Sequence, residues 1–167
     1  INWPGTDIAK INVAKDSVYY LREFKSNTSL SGQFIEDTSG HLYIFRNNEL
    51  SILDPGQTMI KKIPTNSAVI SPWQICPLYI DNRNILWIGS VGRGILCKDL
   101  NGLDIQYLDK SNGLTDLDIW EILESSSGDI WLGSGSGLDI ISKNRHQIKS
   151  INHDILRTLE NNGGSQI

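Results

Sequence analysis

Short apolar runs bounded by Gly, Ser, Asn and Asp follow one another along the whole chain, which is the patterning of β-strands separated by turns. No window keeps apolar residues at i, i+3, i+4 and i+7, so an all-β chain is expected, with no helix longer than about two turns. HDILRTLENNG at 153–163 is the one place where a helix could compete. Two-faced apolar strands in the middle of each group and more polar strands at its end predict sheets whose inner strands pack on both faces and whose outer edge is wet.

The runs repeat. DIWEILESSSGDIWLGS at 118–134 aligns with QICPLYIDNRNILWIGS at 74–90 and with LSGQFIEDTSGHLYIFR at 30–46, a constant interval of 44 residues. Tyr43, Trp87 and Trp131 therefore share one position, and Ile35, Tyr79 and Leu123 another. A fourth copy is expected to be divided between the ends, because DILRTLENNGGSQI at 154–167 matches DIWEILESSSGDI in residue type and NWPGT at 2–6 resembles the close of the second strand. Each unit reads as four strands. The first (GQFIE, CPLYI, IWEILE, ILRTLE) meets the second (HLYIF, ILWIG, DIWLG) through DTSG, DNRN or SSSG, whose Gly and Asn tolerate a left-handed backbone. The third is AKINV, LSILD, ILCKD or LDIIS and the fourth VYYLREF, MIKKIP, DIQYLD or QIKSIN.

Four short antiparallel strands repeated at this period predict β-propeller blades. The units fall at approximately 1–30, 31–74, 75–118 and 119–153, with 154–167 starting a further unit completed by the strand type at 1–6. The chain should form an open arc of a larger propeller, with the shared aromatics Trp87 and Trp131 buried between blades. The bare end faces of such an arc are expected to be lined by residues like Ile119, Ile130 and Ile155, to exceed the apolar patch that soluble monomers normally expose, and to self-associate.

NGLTDLDIWEILESSSGDIWLGSGSGL, with its Gly-Leu, alternating strand, polar-Gly turn and Trp-Leu-Gly core, resembles the two-component regulator propeller repeat, and NILWIGSVGRGI at 84–95 reproduces the same core. The likeness is weaker at 31–53, where LYIFRNNEL lacks the Gly pair. The resemblance implies the periplasmic sensor region of a membrane-anchored hybrid histidine kinase that senses carbohydrates, the anchor and the kinase lying outside these 167 residues.

Composition narrows the alternatives. Fifteen Lys and Arg against nineteen Asp and Glu give a net charge of −4 without basic runs, so the electrostatic footprint of a nucleic-acid binder is absent. No run approaches the roughly 20 apolar residues that span a bilayer, and INWPGTDIAK lacks the regions of a signal peptide. Cys76 and Cys97 form neither a CxxC pair nor a disulfide framework and are read as buried thiols.

No catalytic set, metal site or cofactor motif is read. His41, His146 and His153 lack metal-ligand spacing, GSGSG at 133–137 fits neither a nucleophile elbow nor a phosphate loop, and Asp116 with Asp118 reads as turn chemistry. Binding is the more physical expectation, because a propeller gathers the connection between its second and third strands and the connection into the next blade on one rim. The side chains expected there are Trp73, Arg93, Asn112, Thr115, Asp116, Ser134 and Ser136. Arg93 can read a carboxylate or sulfate and Trp73 can stack on a sugar face, making an oligosaccharide or other small molecule the expected ligand. The competing readings are a propeller lyase or hydrolase resembling the streptogramin lyases, which need a metal and a catalytic His on one rim, and a purely structural scaffold.

Overall fold

The computed structural model describes residues 8–12, 17–21, 33–46, 49–56, 59–64, 77–102, 104–144 and 147–152. Among them the regular structure is β-strand apart from one 3-10 turn at Lys110–Asn112. Strands β1 (Ile8–Asn12) and β2 (Ser17–Leu21) pair antiparallel. A four-stranded antiparallel sheet follows, made of β3 (Gln33–Glu36), β4 (Leu42–Arg46), β5 (Glu49–Leu53) and β6 (Met59–Pro64), each strand beside its predecessor. The same meander is built by β7 (Leu78–Ile80), β8 (Ile85–Gly89), β9 (Ile95–Asp99) and β10 (Ile105–Leu108), and again by β11 (Ile119–Glu124), β12 (Ile130–Ser134), β13 (Gly137–Ile141) and β14 (Ile148–Asn152). These are propeller blades in an open arc. HDILRTLENNG, Cys76 and Ile155 lie outside the described residues.

The turn between the first two strands is the most regular local device. Gly40, Asn84 and Gly128 all take positive φ, at 85°, 63° and 85°, the conformation their side chains make cheap. Three residues before Gly40 and Asn84, at Asp37 and Asp81, a carboxylate pins the turn from inside. Asp37 Oδ1 accepts from the backbone N–H of Ser39 (2.9 Å) and His41 (2.8 Å), and Asp81 Oδ1 from Arg83 (3.0 Å) and Ile85 (2.9 Å). The second oxygen reaches the shared aromatic: Tyr43 OH donates to Asp37 (3.1 Å) and Trp87 Nε1 to Asp81 (3.0 Å). In the third blade Ser125 stands at this position, its hydroxyl accepting from the Asp129 N–H at 3.0 Å.

Register follows the repeat. Ile35 faces Tyr43, Tyr79 faces Trp87 and Leu123 faces Trp131 across the first hairpin of successive blades. Because both faces of each sheet are apolar, two seams form between three blades. In one, Tyr43, Phe45 and Leu50 pack on Leu86, Ile88 and Leu96. In the other, Ile85, Trp87, Ile95 and Cys97 pack on Ile119, Ile130, Leu132 and Ile141. The second seam is tied by Glu124, whose Oε2 accepts from Tyr79 OH (3.3 Å) and the Asn82 N–H (3.0 Å). Burial and the Glu124 charge push the Tyr79 phenol above its ordinary range. Cys97 is buried, its thiol 3.8 Å from Gln106 Oε1.

Two sequence expectations are corrected. Trp87 is fully buried, whereas Trp131 is 37% exposed. Ile119 and Ile130 do not line a bare face but fill the seam between the second and third blades. The exposed face of the third blade carries the opposite parity, with Leu123 at 60% exposure beside Trp131. The position filled by Tyr43 and Trp87 in two covered seams is thus the one left open in the third blade.

Candidate functional site

The connections β8–β9, β10–β11 and β12–β13 meet at one end of the second and third blades, opposite the Gly40, Asn84 and Gly128 turns. Backbone bonds lock them together. The N–H groups of Arg93 (3.2 Å) and Gly94 (2.8 Å) donate to Leu117 O, and the Ile119 N–H donates to Ser90 O (2.7 Å). Asp118 Oδ1 accepts from the Gly92 N–H at 2.5 Å, so the loop of one blade holds the first strand of the next.

The path into β11 is set by its own residues. Asp109 caps the 3-10 turn, accepting from the Ser111 N–H (2.7 Å) while its own N–H donates to Asn112 Oδ1 (2.9 Å). This is a capping box that closes on Gly113 in a left-handed conformation. Leu114 then drops into the seam, and Thr115 is fixed to Asp139 through its N–H (2.9 Å) and its hydroxyl (3.0 Å). Asp139 is wholly buried and accepts also from Ser150 Oγ.

Asp116 faces the β12–β13 connection. Its Oδ2 accepts from Ser136 Oγ (2.8 Å), and its Oδ1 from the N–H groups of Leu117 (2.7 Å) and Asp118 (3.2 Å). The Ser136 hydrogen bond holds the carboxyl below its ordinary range, with further help from these backbone donors. Ser134 Oγ donates to Gly137 O (3.2 Å) and accepts from the Ser136 N–H (3.2 Å).

The candidate residues therefore separate by what they touch. Arg93, Asp116, Ser134 and Ser136 come together on the interlocked loops, with Arg93 exposed. Asn112 and Thr115 lie on the same connection, but their side chains hold the capping box and the Asp139 latch. Trp73, His146 and His153 lie outside the described residues. His41 sits in the β3–β4 turn at the far end of its sheet, its Nδ1 3.0 Å from Asp37 Oδ2. No three His, Cys, Asp or Glu side chains converge as metal ligands among the described residues. Sequence reasoning missed Tyr107, which is 39% exposed in the edge strand β10. It stands beside the equally exposed Gln106, between half-buried Ile105 and buried Leu108.

No protein-family model and no curated protein sequence matches the chain. Solved structures do. The chain is similar to the extracellular domain of a protein described as the hybrid two component system BT3049 from B. thetaiotaomicron, at a TM-score of 0.61 and 19% identity over 74% of this chain and 17% of that one. It is also similar to the extracellular domain of BT4673, described in the same terms and from the same organism, at a TM-score of 0.57 and 21% identity over 75% of this chain and 18% of that one. The chain thus spans less than a fifth of the length of either structure, and the likeness is one of fold, that of antiparallel four-stranded blades.

Proposed function

We propose that the chain is part of the periplasmic sensor region of a membrane-anchored two-component regulator of the hybrid histidine kinase kind, and that it recognises its ligand, an oligosaccharide, without catalysing a reaction. The observation that carries this reading is the fold likeness to two extracellular domains of hybrid two-component systems. The rim agrees with it: hydroxyls, carboxylates and a guanidinium are presented on loops whose backbones are fixed by the blades beneath. Such preorganisation lowers the ordering cost of binding. Asp116 and Asp118 are engaged by Ser136 and by backbone N–H groups, which suits holding a loop better than shuttling a proton.

The exposed face of the third blade supports a second role, as the joint for a further sheet in the intact ring or for a neighbouring copy. Calorimetry and thermal-shift titration of the intact ectodomain with oligosaccharides test the sensor reading. Saturable binding that raises the melting temperature is expected, and turnover of a bound saccharide would refute the non-catalytic part.

A further inference from the structure

Asp139 is wholly buried in the middle of β13, at a position where the blade itself does not require a carboxylate. It stands opposite Leu132, as Leu96 stands opposite Ile88 and Ser51 opposite Ile44, and in the second blade Leu96 fills that place as an apolar seam residue. Burying a charge is costly unless it is paired or fully hydrogen-bonded. Among the described residues Asp139 has only neutral partners: the N–H and hydroxyl of Thr115 and the hydroxyl of Ser150. The charge is therefore kept in the seam for what it holds, which is the crossing from the second blade to the third.

That crossing, residues 109–118, has a local structure of its own. The N–H groups of Asn112 and Leu114 bond to Asp109 O and that of Gly113 to Lys110 O, while the far end is tied to the second blade through Leu117 O and Asp118. Leu114 reaches into the seam and is 3% exposed. The polar hold on the third blade is Thr115 on Asp139 and Asp116 on Ser136, both supplied by the hairpin β12–β13. We propose that residues 109–118 form a strap that opens from the third blade as one unit, with Asp139 as its fastener. The carboxylate makes the opening all-or-none. Thr115 supplies three of its four contacts, so a partial release leaves a buried charge short of donors until the strap lifts far enough for water to reach it. Lifting withdraws Leu114 from beside Trp87 and Ile119 and loosens the joint between the two blades. Asp116 is the strap's face on the rim, so on the sensor reading above a ligand that bridges Asp116 and Ser136 holds the strap shut. The strap itself depends on these bonds alone.

Hydrogen exchange of the intact ectodomain, resolved amide by amide and without ligand, tests the strap. In the unaltered protein the amides of Asn112, Gly113, Leu114 and Thr115 are expected to share one protection factor, lower than those of β12 and β13. T115V removes the hydroxyl donor, and D139L puts at 139 the residue type that the second blade carries at 96. Each should speed all four amides at least tenfold and leave β12 unchanged, whereas T115S, which keeps the hydroxyl, should hold the unaltered rates. Exchange that rises throughout β12 and β13 in both variants would make Asp139 a support of the whole blade and overturn the strap. Acceleration of Thr115 alone would show that the four residues open separately, and unchanged rates in both variants would remove Asp139 as the fastener. Protection of 112–115 equal to that of β12 in the unaltered protein would likewise overturn the strap, while leaving the sensor reading untouched.

Discussion

Replacing Trp87 and Trp131 with alanine separately turns the repeat into a measurement of blade coverage. The two residues hold the same position in successive blades, each opposite the equivalent residue of the first strand. Trp87 is fully buried and its indole N–H donates to Asp81 at 3.0 Å, whereas Trp131 is 37% exposed. Removing a large buried aromatic costs about 3–5 kcal/mol through lost transfer energy and the cavity left behind, and W87A adds an Asp81 oxygen without its donor. W131A forfeits about two thirds of the burial and leaves a dent that water fills, so roughly 1–2 kcal/mol is expected from area alone. Urea denaturation of the 167-residue chain, followed by far-UV dichroism because the substitutions change the fluorescence, should place the W87A midpoint well below that of W131A. With a slope of about 2 kcal/mol/M the separation is roughly 1 M. Equal losses in this chain would refute the argument that the third blade is uncovered. In the intact ectodomain, where a further blade is expected on that face, the W131A loss should rise toward that of W87A.

Other outcomes follow from local chemistry. The Asp81 carboxylate accepts five donors from Arg83, Ile85 and Trp87, so D81A, which strands buried N–H groups, should cost about 2–4 kcal/mol by denaturant titration. G89A places a methyl group 2.6 Å from Pro77 Cγ and 3.1 Å from Ile119 Cγ2 and should cost about 1–3 kcal/mol by overpacking; a neutral result would mean the seam yields there. The Asp116 carboxyl is held below its ordinary range, first by the Ser136 hydrogen bond. Its contribution is therefore present above the ordinary carboxylate pKa and is lost as pH falls through the depressed folded value. An NMR titration of S136A should show the Asp116 carboxyl moving up toward its ordinary value, and an unchanged titration would remove that hydrogen bond from the account.

The features legible in the sequence are those decided within a few residues. Gly40, Asn84 and Gly128 announce their turns because few other side chains take positive φ cheaply, and the constant interval between Tyr43, Trp87 and Trp131 fixes strand register before any contact is known. Asp109 and Asn112 also spell their capping box locally, so Asn112 could have been recognised as a structural residue rather than a ligand contact. What escaped was parity and partnership. In a propeller both faces of a blade are apolar, so alternation alone does not say whether Ile119 and Ile130 or Leu123 and Trp131 look toward the preceding blade. That is settled by the seam in which Ile119 and Ile130 meet Trp87. Thr115 reads as a rim hydroxyl because its partner Asp139 lies a whole hairpin further along the chain. A short polar residue in a loop advertises that it will hydrogen-bond, but only the packed blades decide whether it bonds inward, as Thr115 does, or across the rim, as Ser136 does to Asp116. The residues left for a ligand are those whose loops are fixed by backbone bonds while their side chains stay accessible, and Arg93 meets that condition because Leu117 holds its N–H and not its guanidinium.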